Sequence, residues 1–251
     1  MSKVELLSLE TLPNQPVAFI KSLGRTVVIA PHPDDESLGC GGLMATLRAM
    51  LVPVAAVLIT DGTMSHPHSR KFPPAARRAL REAEFAEALS LLGVEADASL
   101  LLGLPDGAVT DLPPAAFEQA VASLTKYLED WAPATIVVPW RRDPHPDHRA
   151  TSKLVQAAVA RLPIAPRVLE YLVWAWERAA PDDLPRSDEV TGWRLDISTV
   201  LAQKQQAIAA HRSQIDGIID DDPTGFQLAP QMLAHFARPY EVYVEALPSL
   251  Q

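Results

Sequence analysis

Short apolar runs alternate with longer amphipathic stretches through residue 160, and this alternation carries most of the fold information. Thr26–Ala30, Val54–Thr60, Ala98–Leu102, Thr135–Pro139 and Arg167–Ala175 are rich in β-branched or aliphatic residues and nearly free of charge, so they read as buried strands. Between them, apolar positions recur at helical spacing from about Glu36 to Leu51, from Pro74 to Leu92, from Pro114 to near Trp131 and from about Pro146 to Arg161. Gly93 follows the second of these helices as a C-terminal stop. Gly39, Gly41 and Gly42 in the first helix would let it lie close on a sheet. Further on, the pattern predicts a short strand at Trp193–Ile197, a helix over Ser198–His211, a short helix over Ala229–Ala237 and a last strand over Tyr240–Ala246. Residues 177–192 and 216–226 read as a Pro/Asp-rich and an acidic loop.

Strands that alternate with helices predict an α/β fold: a Rossmann-like single domain, its central sheet mostly parallel, with helices on both faces. Residues 1–24 read as an N-terminal arm, helical near Val17–Ser22; 26–165 form the core, and 166–251 a smaller C-terminal elaboration of the same 1–251 domain. In such sheets ligands bind beyond the carboxyl ends of the strands. The chemically loaded stretches 31–36, 61–68, 103–107 and 140–148 all fall there.

Composition narrows the class. Apolar residues make up 48% of 251 residues, enough for a sizeable core, and no apolar run is long enough to span a bilayer. A net charge of −9 with no basic run argues against nucleic acid as a partner. The first residues lack the basic-then-apolar order of a signal peptide, and the single cysteine, Cys40, suits a reducing cytoplasm. A homo-oligomer is compatible with all of this.

Two constellations carry chemistry. Pro31-His32-Pro33-Asp34-Asp35-Glu36 closes the first strand. An aspartate here could simply cap the next helix, but a cap needs neither a second aspartate nor a histidine beside it. His32 and Asp35 are donors of the kind zinc takes, and a free neighbouring carboxylate is what an activated water needs as its base. His145-Pro146-Asp147-His148 follows the fourth strand, and residues three apart on an opening helical turn share a side. His32, Asp35 and one of these histidines complete the three protein ligands of a catalytic zinc site, which leaves the other free to stabilise an oxyanion.

These two motifs resemble those of the PIG-L/LmbE-like zinc N-deacetylases, carbohydrate esterase family 14. Thr60-Asp61-Gly62, Arg81-Glu82-Ala83-Glu84, Leu92-Gly93-Val94 and Lys204…His211-Arg212-Ser213-Gln214 are similar to further blocks of that family, over about residues 26–246. The resemblance implies His32, Asp35 and His148 as Zn²⁺ ligands, with Fe²⁺ admitted by the same donors. It implies Asp34 as general base, His145 as electrophile, Asp147 orienting a histidine, and Arg81 contacting substrate with Glu84 near it. The resemblance assigns little to Trp140-Arg141-Arg142; from the residues alone Asp61 is a secondary candidate for substrate contact, and Arg142 a candidate for an anionic substrate although a solvated Arg141–Arg142 pair is the default. The implied reaction removes acetyl from an N-acetylglucosamine-type amide, so the partner is a small N-acetylated glycoside or related amide. Two alternatives are an amidase for a bulkier amide, such as a thiol conjugate, and a non-catalytic protein that retains zinc.

Other features read more plainly from the residues alone. Arg81 and Glu84 would ordinarily be a solvated helix face, and His211, Ser213 and Gln214 a polar helix end. His66 and His68 suit a loop or pocket rim, and Asp61-Gly62 and Asp106-Gly107 suit turns. Trp174 and Trp176 alternate along the fifth strand and suit core or interface better than a sugar platform. Gly39-x-Gly41 lacks the third glycine of a dinucleotide fingerprint and sits inside the helix, away from the turn where a pyrophosphate would bind.

Overall fold

The computed structural model describes residues 5–248. In chain order the main elements are α1 (Val17–Ser22), β1 (Thr26–Ala30), α2 (Asp35–Ala49), β2 (Val54–Thr60), α3 (Pro74–Leu91), β3 (Leu100–Leu104), α4 (Pro114–Trp131), β4 (Thr135–Pro139), α5 (Pro146–Val159) and β5 (Arg167–Tyr171). They continue with α6 (Ala175–Arg178), β6 (Val190–Asp196), α7 (Leu201–Ala210), α8 (Arg212–Ile215), α9 (Pro230–Phe236) and β7 (Tyr240–Ala246). Pro74, Pro114, Pro146 and Pro230 each open a helix, where a missing N–H is no loss.

The strands of the described residues form one sheet in the order β3-β2-β1-β4-β5-β7-β6. The first five are parallel and β7 pairs antiparallel with both β5 and β6. Both faces are covered, because successive residues of a strand point to opposite sides. Val28 and Ala30 join the core under α2, α3 and α7, whereas Val27 and Ile29 join the core under α4 and α5. None of the helices described is long and apolar enough to cross a membrane.

From β1 the chain builds outward through β2 to β3, then returns to add β4 on the other side of β1. The crevice between β1 and β4 is therefore where the strand order reverses, and the segments leaving both strands open into it. This topology brings residues 31–36 and 140–148 together.

The predicted glycine packing is present and tight. A Cβ on Gly39 would lie 2.1 Å from the Tyr171 ring, and one on Gly42 would lie 2.5 Å from Ile197. Only hydrogen fits at either place, so α2 can carry its N-terminus down onto the sheet.

Several boundaries differ from the sequence pattern. Ala96–Ala98 coil into a 3₁₀ turn, which delays β3 by two residues against the predicted Ala98–Leu102. The fifth strand stops at Tyr171, because Asp143 Oδ2 accepts the Trp174 N–H at 3.0 Å and draws the chain off the sheet. Trp174 and Trp176 are consequently in and beside α6 and do not alternate on a strand. The predicted helix over Ser198–His211 begins at Leu201, since Ser198 is tied by its N–H and hydroxyl to Asp196. The N-terminal arm packs Leu12 beside Trp140 and Val242; its first four residues, like 249–251 of the C-terminal elaboration, lie outside the described residues.

Candidate metal centre and pocket

His32 leaves β1 and its backbone N–H donates to Asp35 Oδ2 at 2.9 Å. Its ring Nδ1 is 3.2 Å from the same oxygen, and its Nε2 is 3.2 Å from Asp147 Oδ2 and from Asp106 Oδ1. His148, on the first turn of α5, is fully buried and brings Nε2 to 3.1 Å from Asp35 Oδ2 and Nδ1 to 3.3 Å from Asp143 Oδ1. Those contacts are close enough for charge attraction but misaligned for hydrogen bonds, so both ring nitrogens remain without a hydrogen-bond partner. A buried imidazole with neither nitrogen satisfied is costly unless something else binds it.

The spacing says what could. A tetrahedral cation with bonds of about 2.0–2.1 Å holds its ligand atoms about 3.3 Å apart. Asp35 Oδ2 stands at 3.2 and 3.1 Å from its two histidine neighbours, which matches. Among the described residues, the two sets of three ligand atoms that lie within 4.8 Å of one another are the ring nitrogens of His32, His145 and His148, and atoms of His32, Asp106 and Asp147; Asp35 touches His32 and His148 one by one. Asp147 is already engaged, since it accepts the N–H groups of Gly107 at 2.7 Å and Val109 at 3.2 Å and orients His32 as a carboxylate behind an imidazole does.

The cluster is built to hold positive charge. Burial opposes a charged His148, but Asp35 and Asp143 overcome it and raise the ring's pKa to about 9. Burial likewise opposes a charged His32, and Asp106, Asp147 and Asp35 raise it well above the usual value. Burial alone would raise Asp35; His148 and His32 pull it far below the usual carboxylate range.

Asp34 and His145 differ from these ligand candidates. Burial raises Asp34 to about 7 against the pull of Arg81, with Asp35 adding to the rise. Its backbone sits at φ 132°, ψ −30°, which a non-glycine residue adopts at a cost of about 1–3 kcal/mol. Burial, then the charges of His32 and His148, lower His145 to about 4. His145 Nδ1 accepts the Asp147 backbone N–H at 3.2 Å, so the proton of the neutral ring resides on Nε2.

A cavity of 220 Å³ opens over this cluster. His32, Asp34, Asp35, Arg81, Asp106 and His145 form its polar end. Leu38, Met64, Val173, Trp174, Phe226 and Leu228 form an apolar wall. The Trp174 ring stacks on His145 with centroids 6.3 Å apart, and Phe226 meets Trp174 edge-on at 5.7 Å.

The other residues expected at the site divide. Arg81 is buried and its guanidinium donates to Pro33 O at 2.6 Å, Gly62 O at 3.1 Å and Asp34 Oδ2 at 3.2 Å. The solvated-face reading is thus corrected for Arg81, and also for Glu84, because α3 presents both to the core. Glu84 does not line the cavity; its carboxylate accepts the Ser213 N–H and hydroxyl at 2.7 and 2.6 Å. Asp61 is absorbed in shaping its turn, accepting from Thr63 Oγ1 at 2.8 Å and the Asp106 N–H at 3.3 Å. Arg142 is corrected outright: it pairs with Glu189 and donates to the carbonyls of Asp182 and Leu184, away from the cavity. His66 is buried against Gly225, where a Cβ would lie 1.9 Å from its ring, and the His68 N–H donates to Asp222. His211 is no exposed helix cap: it is fully buried on Glu36.

Asp106, Asp143, Met64, Trp174 and Phe226 belong to the site's surroundings without having been expected there. Asp106 and Asp143 had a faint signal, since each lies in a loop beyond a parallel strand. Met64 shares that signal, in the loop beyond β2, and Phe226 had none.

Known proteins resemble this chain in sequence and in fold. Residues 27–159 match the family PIG-L, described as GlcNAc-PI de-N-acetylase. The chain is 32% identical to 2'-N-acetylparomamine deacetylase of Streptomyces fradiae over 77% of this chain and 74% of that protein. It is 31% identical to the probable N-acetyl-alpha-D-glucosaminyl L-malate deacetylase 2 of Bacillus subtilis, over 77% and 84% respectively. The solved structure of N,N'-diacetylchitobiose deacetylase from Pyrococcus horikoshii superposes with a TM-score of 0.67 at 26% identity, covering 90% of this chain and 84% of that one.

Proposed function

The chain belongs to the PIG-L family of de-N-acetylases, and on that premise we propose that it hydrolyses the acetamide of an N-acetylglucosamine-type glycoside to acetate and a free amine. His32, Asp35 and His148 would hold a divalent cation, which we take to be Zn²⁺, with Fe²⁺ suited to the same donors. Bound there, the cation would lower the pKa of a water and polarise the acyl carbonyl.

The protein groups supply the rest. Asp34 borders the cavity beside the ligand set and takes a proton as water attacks the carbonyl carbon. The Nε2–H of His145, directed by the Asp147 N–H on Nδ1, donates to the developing oxyanion. When the C–N bond breaks, Asp34 returns its proton to the leaving nitrogen. Arg81 secures the turn that carries Asp34 and presents charge to the cavity. Trp174 offers an apolar face to a sugar ring. A cytoplasmic location is part of the same proposal, since the one cysteine, Cys40, is buried and free.

The observation that carries the reading is the meeting of His32 and His148 on one oxygen of Asp35, with Asp34 lining the cavity and paired to Arg81. The test is amine release from a panel of N-acetylated glycosides and bulkier amides by metal-loaded protein. Turnover concentrated on N-acetylglucosaminides supports the proposal. Preference for the bulkier amides would replace the substrate class, and an inert protein with a full metal site would mark it as a binding protein.

A further inference from the structure

Glu36 and His211 are fully buried, lie outside the cavity lining, and have no part in the chemistry above. They meet across the fold: Glu36 Oε1 is 2.8 Å from His211 Nε2 and accepts the Ser37 hydroxyl at 2.6 Å. The other carboxylate oxygen, Oε2, accepts the backbone N–H of Asp34 at 3.1 Å. That N–H belongs to the residue whose φ of 132° is otherwise suited to glycine. A strained residue stays in place only when its surroundings over-determine it. Here Glu36 holds the N–H of Asp34, while Arg81 holds the preceding carbonyl of Pro33 and the carboxylate itself.

The far end of the pair is built for this contact. His211 interrupts the helix between α7 and α8, with φ −79° and ψ 56°, and so turns its ring inward to Glu36. Relaxing φ at Asp34 to a negative value would swing its Cβ about the backbone and carry the carboxylate away from its place beside Asp35.

We infer that Glu36 and His211 are positioning residues, which hold the backbone of Asp34 in the conformation that aims its carboxylate into the cavity. This rests on the reading of Asp34 as the base, and the test separates the two. In metal-loaded protein, Glu36→Gln should lower kcat about tenfold or more, a misplacement effect, while KM stays within about twofold and one metal ion per chain is retained. Because Glu36 acts through Asp34, Glu36→Gln should leave the residual rate of Asp34→Asn unchanged. An equal fractional loss in both backgrounds overturns the inference, as does an unaltered kcat or a lost metal ion in Glu36→Gln. Near-normal turnover by Asp34→Asn alone overturns the base assignment and the inference with it. Should Glu36→Gln fail to fold, His211→Gln, which keeps an N–H donor, is compared with His211→Leu. A kcat at least about fivefold higher for the glutamine variant at equal KM supports the pair, and equal kcat values overturn it.

Discussion

Arg81→Met removes the one guanidinium that ties the turn after β1 to the loop after β2. The side chain is 4% exposed, and its three acceptors are two carbonyls, at 2.6 and 3.1 Å, and a carboxylate that is 8% exposed, at 3.2 Å. Leaving a buried acceptor unpaired costs about 1–3 kcal/mol, and removing one partner of a buried ion pair costs about 3–5 kcal/mol. These losses share one group and one turn, so they do not add. The cavity lets water reach Asp34, which favours the lower end of that range. A loss of about 3 kcal/mol is a large share of the 5–15 kcal/mol typical of a folded protein. Urea unfolding reads it directly: with a slope of about 3 kcal/mol per molar, the midpoint falls by about 1 M. Arg81→Lys should recover less than half of that, because one ammonium cannot serve three acceptors spread over a planar fork. A midpoint for Arg81→Met within about 0.2 M of wild type would refute the idea that this side chain secures the turn.

Gly39→Ala should destabilise by about 1–3 kcal/mol, because its Cβ meets Tyr171, whose hydroxyl is fixed on Ile29 O at 2.8 Å. The displaced α2 should also release metal to a competing chelator more readily. Trp174→Ala should raise KM for an N-acetylglucosaminide about tenfold and leave metal content unchanged, as measured by steady-state kinetics beside metal analysis. Stability should depend on pH through His211: burial opposes its charge, but Glu36 reverses this and raises its folded pKa above the ordinary histidine value. The contribution is therefore complete below that value and is lost as pH rises through the folded pKa. Denaturation of metal-loaded protein from neutral to alkaline pH should show wild type losing stability more steeply than His211→Gln.

Much of this molecule is legible in its sequence, and for physical reasons. The strands β1, β2 and β4 are short, buried on both sides and bounded by prolines or turns, so their limits coincide with their composition. The motifs at His32–Glu36 and His145–His148 are contiguous and each follows a strand; a parallel sheet then places them at one edge. The rest depends on partners far along the chain. Arg142 looks unengaged until Glu189, 47 residues on, folds beneath it. Asp106 in a Pro-Asp-Gly run has the chemistry of a turn, and only the spatial approach of His32 gives it another role. Arg81 and Glu84 recur at helical spacing like any solvated pair, because amphipathic periodicity cannot reveal that buried polar groups await the inward face. Composition does not mark the end of β5, because the interaction that stops it is a single bond to Asp143, a residue in another loop. The positive φ of Asp34 has no sequence signature at all, since nothing in Pro-Asp-Asp-Glu marks a residue held in a glycine-like conformation.

The central claim is that Asp34 is a base standing beside a cation that it does not ligate. Acetate release and metal content measured together on Asp34→Asn test it most directly, with His148→Ala as the counterpart. The account predicts one divalent ion per chain in Asp34→Asn with turnover reduced at least about a hundredfold, and loss of the ion in His148→Ala. Turnover near wild type in metal-loaded Asp34→Asn, or a full complement of metal in His148→Ala, would contradict it.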